Sequence, residues 1–146
     1  MTIAVDFDGT IVENKYPDIG DEIPFATDTL KMLTNDRHRL ILWTCREAGL
    51  LQDALEWCKK RGVEFWAVNK DYPEENGKHS NENYSRKIKA DLFIDDRQIG
   101  GLPDWGEIYQ MIKSGHTFTR YSNPDQHAYT GEGVVDTKKK KRWWGF

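Results

Sequence analysis

Apolar and polar positions along this chain alternate in a pattern that predicts strands and helices in turn. Short apolar runs rich in β-branched and aromatic residues are typical of buried strands. Four such runs stand out: the run that ends at Val5, then residues 39–44, 63–68 and 91–94. The first run is short and strongly apolar, so we expect it to lie inside a sheet.

Between these runs, apolar residues recur at helical spacing. One helix is predicted to begin near Pro24, because proline suits the first turn of a helix. A second is predicted over residues 47–61 and a third over residues 104–113, with Gly62 ending the second. Strands that alternate with helices predict an α/β fold, a doubly wound, Rossmann-like parallel sheet with helices on both faces.

Length and charge divide the chain into a body and a tail. A chain of 146 residues has room for a single core, which we assign to residues 1–128. The tail, residues 129–146, is basic and aromatic, with five cationic side chains at 138–142 and two tryptophans after them. We expect it to be flexible or to contact a partner. The net charge of −3 therefore makes the body more acidic than the whole, which disfavours tight binding to a phosphate backbone.

Two further features bear on location. Cys45 and Cys58 form neither a disulfide framework nor a zinc-ligand pattern, so both are interpreted as small buried apolar residues. No apolar run has the length of a membrane span, and the first strand leaves no space for a signal peptide. These observations predict a cytoplasmic protein.

Polar residues with potential chemistry follow the predicted strands. Asp6 and Asp8 come after the first strand, Thr44 ends the second, and Asp95 and Asp96 follow the fourth. Ligands bind at the carboxyl ends of strands in doubly wound sheets. Carboxylates crowded at one edge are costly unless a cation lies between them. The sequence therefore predicts a metal ion with a phosphate group beside it.

The order of these residues resembles the haloacid dehalogenase superfamily of aspartate-nucleophile phosphohydrolases, over residues 1–113. Four motifs carry the resemblance: Asp-x-Asp-Gly-Thr at 6–10, Thr44, Lys87, and the pair Asp95-Asp96. The resemblance implies a Mg²⁺-dependent phosphomonoester hydrolase that works through an aspartyl-phosphate intermediate. An aspartate two residues after the nucleophile implies phosphatases and phosphomutases, and argues against dehalogenases.

The resemblance also implies roles for individual residues. Asp6 would be the nucleophile and Asp8 the general acid and base. Mg²⁺ would take a carboxylate oxygen of Asp6, the main-chain carbonyl of Asp8 and an oxygen of Asp95, with Asp96 behind them or bound through water.

Further residues would bind the phosphoryl group and the substrate. Thr44 would donate its hydroxyl to a phosphoryl oxygen. Lys87 would neutralise the developing charge, with Lys89 as the competing candidate. Further candidates for contact with the phosphate or the substrate are Gly9, Thr10, Arg46 and Arg97.

The intervals between the motifs are too short for a separate cap domain. The site should therefore be open, with partial cover from residues 12–24. Substrates would be phosphorylated small molecules or exposed phosphates on larger molecules. A second subunit is an alternative source of cover for the site.

Three alternative interpretations remain. A nucleic-acid end phosphatase fits an open site, although the acidic body counts against it. A catalytically inactive, phosphate-binding module would share the same motifs. A signalling receiver domain is disfavoured, because its acidic pair comes first in the chain and its acceptor aspartate lies on a middle strand.

Truncation of the chain after residue 129 should leave both the rate on a small phosphate ester and the melting temperature unchanged. A run of five like charges repels itself and cannot pack without counter-charges. Trp143 and Trp144 are the features that would contradict this expectation, because two buried indoles contribute several kcal/mol. A large loss of rate or of melting temperature would place them in the fold or in an interface.

Overall fold

The computed structural model describes residues 1–75 and 87–115, where strands and helices alternate along the chain. The elements are β1 (Thr2–Val5), α1 (Ala26–Asn35), β2 (Arg39–Leu42), α2 (Ala48–Lys59), β3 (Ala67–Val68), β4 (Leu92–Ile94) and α3 (Trp105–Ser114). The predicted α/β class is confirmed, and no separate cap domain is present among the described residues.

The four strands form one parallel sheet in the order β3-β2-β1-β4. The chain moves outward from β1 to β2 and β3, and then returns to place β4 on the other side of β1. The strand order therefore reverses at β1, which is the position where such sheets open a crevice for ligands. Val5 lies opposite Ile94, so β1 and β4 end side by side.

Side chains from several strands bury both faces of β1. Ala4, Ile41, Ala67 and Ile88 form one cluster, packed against Trp43, Trp66, Ala90 and Phe93. The alternate positions Ile3 and Val5 are also fully buried. Because successive strand residues point to opposite faces, β1 is covered on both sides and holds its carboxyl end in a fixed place.

The third strand is shorter than predicted. The sequence predicted residues 63–68, whereas β3 contains only Ala67–Val68. Val63 instead completes the end of α2, where its amide donates to the carbonyl of Cys58 while Gly62 takes a φ of 79°. Since the amide of Val63 caps a helix, pairing with β2 begins only at Trp66, whose amide donates to Leu40.

The first residue of α3 is anchored in the core. Trp105 is fully buried, and its indole Nε1 donates to the carbonyl of Thr10 at 3.0 Å. The hydroxyl of Thr29 on α1 donates to the carbonyl of Trp105 at 3.3 Å. The turn after β1, helix α1 and the start of α3 are therefore joined through one residue, by its indole and its main-chain carbonyl.

The chain divides into two units, Met1–Gly106 and Glu107–Phe146, and α3 begins in the first of them. The strands and the strand-end residues all belong to the first unit. The predicted tail (129–146) lies outside the described residues. So does most of residues 69–84, whose polar composition predicts a long loop. None of the helices within 1–75 and 87–115 is long and apolar enough to span a membrane.

Replacement of Trp105 by Phe should destabilise the protein by about 1–3 kcal/mol, because the buried carbonyl of Thr10 loses its indole donor. Denaturant unfolding of the variant would measure the loss. Trp57→Phe is the matched control, since the Trp57 ring packs edge-on against Phe7 and is only partly buried. Equal losses in the two variants would contradict a specific contribution from the hydrogen bond.

Candidate active site

Three carboxylates meet where the strand order reverses. Asp6 follows β1 directly, and its amide donates to the carbonyl of Ile94 at 3.0 Å. Asp95 and Asp96 follow β4 directly. One carboxylate oxygen from each of the three aspartates lies within 4.8 Å of the others. The structure therefore brings Asp6 of the first motif together with both aspartates of the last motif, which are far apart in sequence.

The hydroxyl of Thr10 links the two strand ends. It donates to Oδ2 of Asp6 at 3.2 Å and accepts from the amide of Asp96 at 3.0 Å. Thr10 is fully buried, and its carbonyl is the acceptor for Trp105. Thr10 therefore holds Asp6 and Asp96 in position relative to each other.

Gly9 allows the carboxylate of Asp96 to approach the turn. Its φ is +87°, and a Cβ at this position would overlap the Asp96 side chain. Only glycine adopts this φ freely and leaves that space empty. The sequence interpretation gave Gly9 and Thr10 a contact with phosphate. That contact stays a prediction, while the structure shows both residues shaping the acidic cluster.

The electrostatics of this cluster favour a cation. Burial raises the pKa of Asp6 to about 6, and the nearby charges of Asp95 and Asp96 act in the same direction. Hydrogen bonds from Phe7 and Thr10 act against this rise. Oδ1 of Asp96 is buried without a hydrogen-bond partner among the described residues. A buried, unpaired carboxylate oxygen is costly, and a metal ion would supply the missing partner.

Asp8 lies in a different environment from Asp6. Its two oxygens accept from Nε and Nη2 of Arg46 at 2.8 and 2.6 Å. Its carboxylate is not part of the group of three oxygens that could hold a metal. The predicted contribution of the Asp8 main-chain carbonyl to metal binding stays a prediction.

Arg46 is buried, with 1% of its surface exposed. The sequence interpretation gave Arg46, like Arg97, a contact with the phosphate or the substrate. Its guanidinium is instead used inside the protein, so substrate contact by Arg46 has no support from its geometry. Arg97 is exposed, and its amide donates to Oδ1 of Asp95 at 2.8 Å.

Thr44 lies in the turn after β2, held by a residue that the sequence interpretation missed. Oδ1 of Asn69 accepts from the Thr44 amide at 2.8 Å, and Nδ2 of Asn69 donates to the Thr44 carbonyl at 3.0 Å. The Thr44 hydroxyl accepts from the amide of Arg46, which leaves its own hydrogen to donate elsewhere. Asn69 has a φ of 52°, a conformation that asparagine tolerates, and its place directly after a strand was the available signal.

The two candidate lysines have different neighbours. Nζ of Lys87 lies 4.9 Å from the centre of the Phe93 ring, two residues before Asp95. The amide of Lys89 donates to Oδ1 of Asp71 at 2.7 Å. The ammonium group of Lys87 therefore lies against β4. The catalytic role of Lys87, and the choice between Lys87 and Lys89, stay predictions.

Fold and site together define a class: an α/β protein with a parallel sheet and an acidic cluster at its strand-order reversal. A solved structure of a conserved protein from Bacteroides thetaiotaomicron is similar to this chain at 65% identity and a TM-score of 0.71. The match covers 78% of this chain and 90% of the other. The chain belongs to the same family as that protein. No protein-family model and no curated protein matches the chain.

Replacement of Asp6 by Asn should stabilise the metal-free protein near neutral pH. The folded pKa of about 6 lies above the ordinary value of 3.8, so the folded chain binds this proton more tightly. The stability conferred by the proton is complete below about pH 4 and is lost as the pH rises through about 6. Asn cannot ionise, so its advantage should appear over that interval.

Melting temperatures in EDTA between about pH 4.5 and about pH 7.5 would test this dependence. Asp28→Asn is the matched control, because Asp28 is an exposed carboxylate paired with Lys31 on α1. An advantage of Asp6→Asn that is the same at every pH would contradict the assignment.

Proposed function

We propose that this protein is a Mg²⁺-dependent phosphomonoester hydrolase that works through an aspartyl-phosphate on Asp6. The observation that carries the proposal is the arrangement of Asp6, Asp95 and Asp96 where the strand order reverses. A buried oxygen of Asp96 has no hydrogen-bond partner within residues 1–75 and 87–115. The match of motif type and order to the haloacid dehalogenase superfamily supports the same reaction class.

Mg²⁺ fits the chemistry of the donor set. It prefers carboxylate oxygens, keeps several waters and demands near-octahedral geometry. Asp6 and Asp95 would hold the ion, and Asp96 would supply its unpaired oxygen directly or through water. The bound ion would neutralise the carboxylates and polarise the phosphoryl group.

The reaction needs two displacements at phosphorus. A carboxylate oxygen of Asp6 attacks phosphorus, the bond from phosphorus to the ester oxygen breaks, and Asp8 gives its proton to the departing oxygen. Water then attacks phosphorus, Asp8 takes a proton from that water, and the bond between phosphorus and Asp6 breaks. The sum is hydrolysis of the ester to an alcohol and inorganic phosphate, with both aspartates restored.

Two other residues would bind the phosphoryl oxygens. The hydroxyl of Thr44 has its hydrogen free to donate, in a turn that Asn69 fixes. Lys87 carries the cation that would offset the developing negative charge. Both belong to the proposal through motif order and position.

The substrate class in this proposal is a phosphorylated small molecule or an exposed phosphate on a larger molecule, and the location is the cytoplasm. Cys45 is exposed, whereas the sequence predicted a buried residue, and Cys58 is buried as predicted. Both are free thiols, which agrees with a reducing compartment. A panel of phosphorylated metabolites with Mg²⁺ would identify the substrate. Preference for a 5′- or 3′-phosphorylated oligonucleotide over all small esters would favour the nucleic-acid end phosphatase.

Hydrolysis of p-nitrophenyl phosphate should disappear with EDTA and return with Mg²⁺, because the acidic cluster cannot accept a phosphate without a cation. Ca²⁺ should inhibit, since its larger and more flexible shell misaligns the nucleophile. Asp6→Asn should abolish turnover, and Asp8→Asn should slow both displacements.

Asp28→Asn should keep the wild-type rate as the matched control. Full activity in a metal-free sample, or a wild-type rate in Asp6→Asn, would contradict the proposal. Binding of Mg²⁺ and phosphate without turnover would instead identify an inactive phosphate-binding module.

A further inference from the structure

Arg46 uses most of its hydrogen-bonding capacity on Asp8 and one neighbouring segment. Nε and Nη2 bind the two oxygens of Asp8 in a fork, at 2.8 and 2.6 Å. Nη1 donates to the carbonyl of Pro17 at 3.0 Å, and Nη2 also donates to the carbonyl of Asp18 at 2.8 Å. Paired donors of this kind fix both the distance and the orientation of a carboxylate.

The surroundings of the guanidinium keep it in this place. It lies 5.1 Å from the centre of the Phe7 ring and 5.4 Å from that of Tyr16. The Arg46 side chain is 1% exposed, whereas that of Asp8 is 14% exposed. A carboxylate offers about four lone-pair positions, so the fork leaves others of Asp8 available on its exposed side. Arg46 therefore binds Asp8 from the protein interior, and the exposed part of the Asp8 carboxylate faces solvent.

We infer that Arg46 is a positioning residue: it aims the carboxylate of Asp8 at the leaving oxygen and ties that carboxylate to residues 13–24. This inference rests on the proposed function, because it assigns Arg46 its effect through the acid and base role of Asp8. Residues 13–24 are connected internally by the Glu13 amide, which donates to the Asp21 carbonyl at 2.8 Å. Arg46 thus binds both Asp8, the proposed general acid, and residues 13–24.

A misaimed general acid has a specific kinetic signature. A leaving group that departs readily as an anion needs little help from a proton, whereas a more basic leaving group depends on it. Misalignment of Asp8 should therefore lower kcat/KM for phenyl phosphate more than kcat/KM for p-nitrophenyl phosphate. A loss of fold or of metal would lower both rates by the same factor.

The test compares kcat/KM for these two esters in wild type, Arg46→Lys and Arg46→Gln, with Mg²⁺ present. Lysine keeps the charge and loses the fork, and glutamine loses both. We expect kcat/KM to fall on the order of 10²-fold for phenyl phosphate and about 10-fold or less for p-nitrophenyl phosphate. In the Asp8→Asn background, Arg46→Lys should add no further leaving-group dependence, because its target is gone.

Arg61→Lys is the matched control. Arg61 also packs on an aromatic ring, 3.6 Å from the centre of Trp57, and pairs with Glu22 at 3.4 Å. Its substitution should leave the ratio of the two rates unchanged. Equal losses for both esters in a folded Arg46→Lys variant would overturn the positioning role.

Two further measurements separate the remaining outcomes. Hydrogen exchange at the Glu13 amide should become faster in Arg46→Lys, and unchanged exchange would overturn the link to residues 13–24. If both Arg46 variants unfold, the exchange rate of the Arg46 Nε hydrogen in wild type should be slow and should rise in Asp8→Asn. A fast rate in wild type would overturn the inference.

The failure of the proposed function has a different readout. A wild type that hydrolyses neither ester with Mg²⁺ would remove the proposed function and this inference together. A wild type whose activity requires Asp6, with an unchanged ester ratio in Arg46→Lys, would remove the inference alone.

Discussion

Repulsion between carboxylates at the ends of β1 and β4 is the constraint on which the rest of the site depends. Two unit charges 4 Å apart near a protein surface interact by about 4 kcal/mol. Three oxygens from Asp6, Asp95 and Asp96 lie within 4.8 Å of one another. Burial raises the pKa of Asp6, and the charges of Asp95 and Asp96 add to that rise. The parallel pairing of β1 with β4 imposes this proximity, because both strands end at the same level.

The buried elements around the cluster hold it against that repulsion. Thr10 binds Asp6 and the amide of Asp96, while Trp105 holds the carbonyl of Thr10. Gly9, which has no Cβ, leaves room for the Asp96 side chain beside this turn. Burial of both faces of β1 supplies the stabilisation that a locally unfavourable site requires.

Two aspartates of one motif are separated by their surroundings. Asp6 faces other carboxylates in a desolvated position, whereas Asp8, two residues further on, faces a buried guanidinium. Different environments for two carboxyl groups are the usual physical basis for different roles in one reaction. In the metal-free protein the raised pKa of Asp6 by itself suits a proton donor. The role of Asp6 as the attacking group in our proposal therefore rests on motif order and on a bound cation that would favour its ionised form.

Hydrophobic patterning determined the alternation of strands and helices. Residue type at strand ends predicted a cluster of Asp6, Asp8, Asp95 and Asp96, and the structure brings three of these carboxylates together without that of Asp8. These features are local, or follow from the rule that parallel strands end at a common edge. Other features depend on contacts between distant positions. Arg46 binds Asp8 across 38 residues, and Asn69 binds Thr44 across 25 residues. A solvated rim arginine and a buried one have the same sequence signature, because both follow a strand and precede a helix. Only the tertiary structure decides between them, since burial depends on which carbonyls and rings the folded chain brings to the guanidinium.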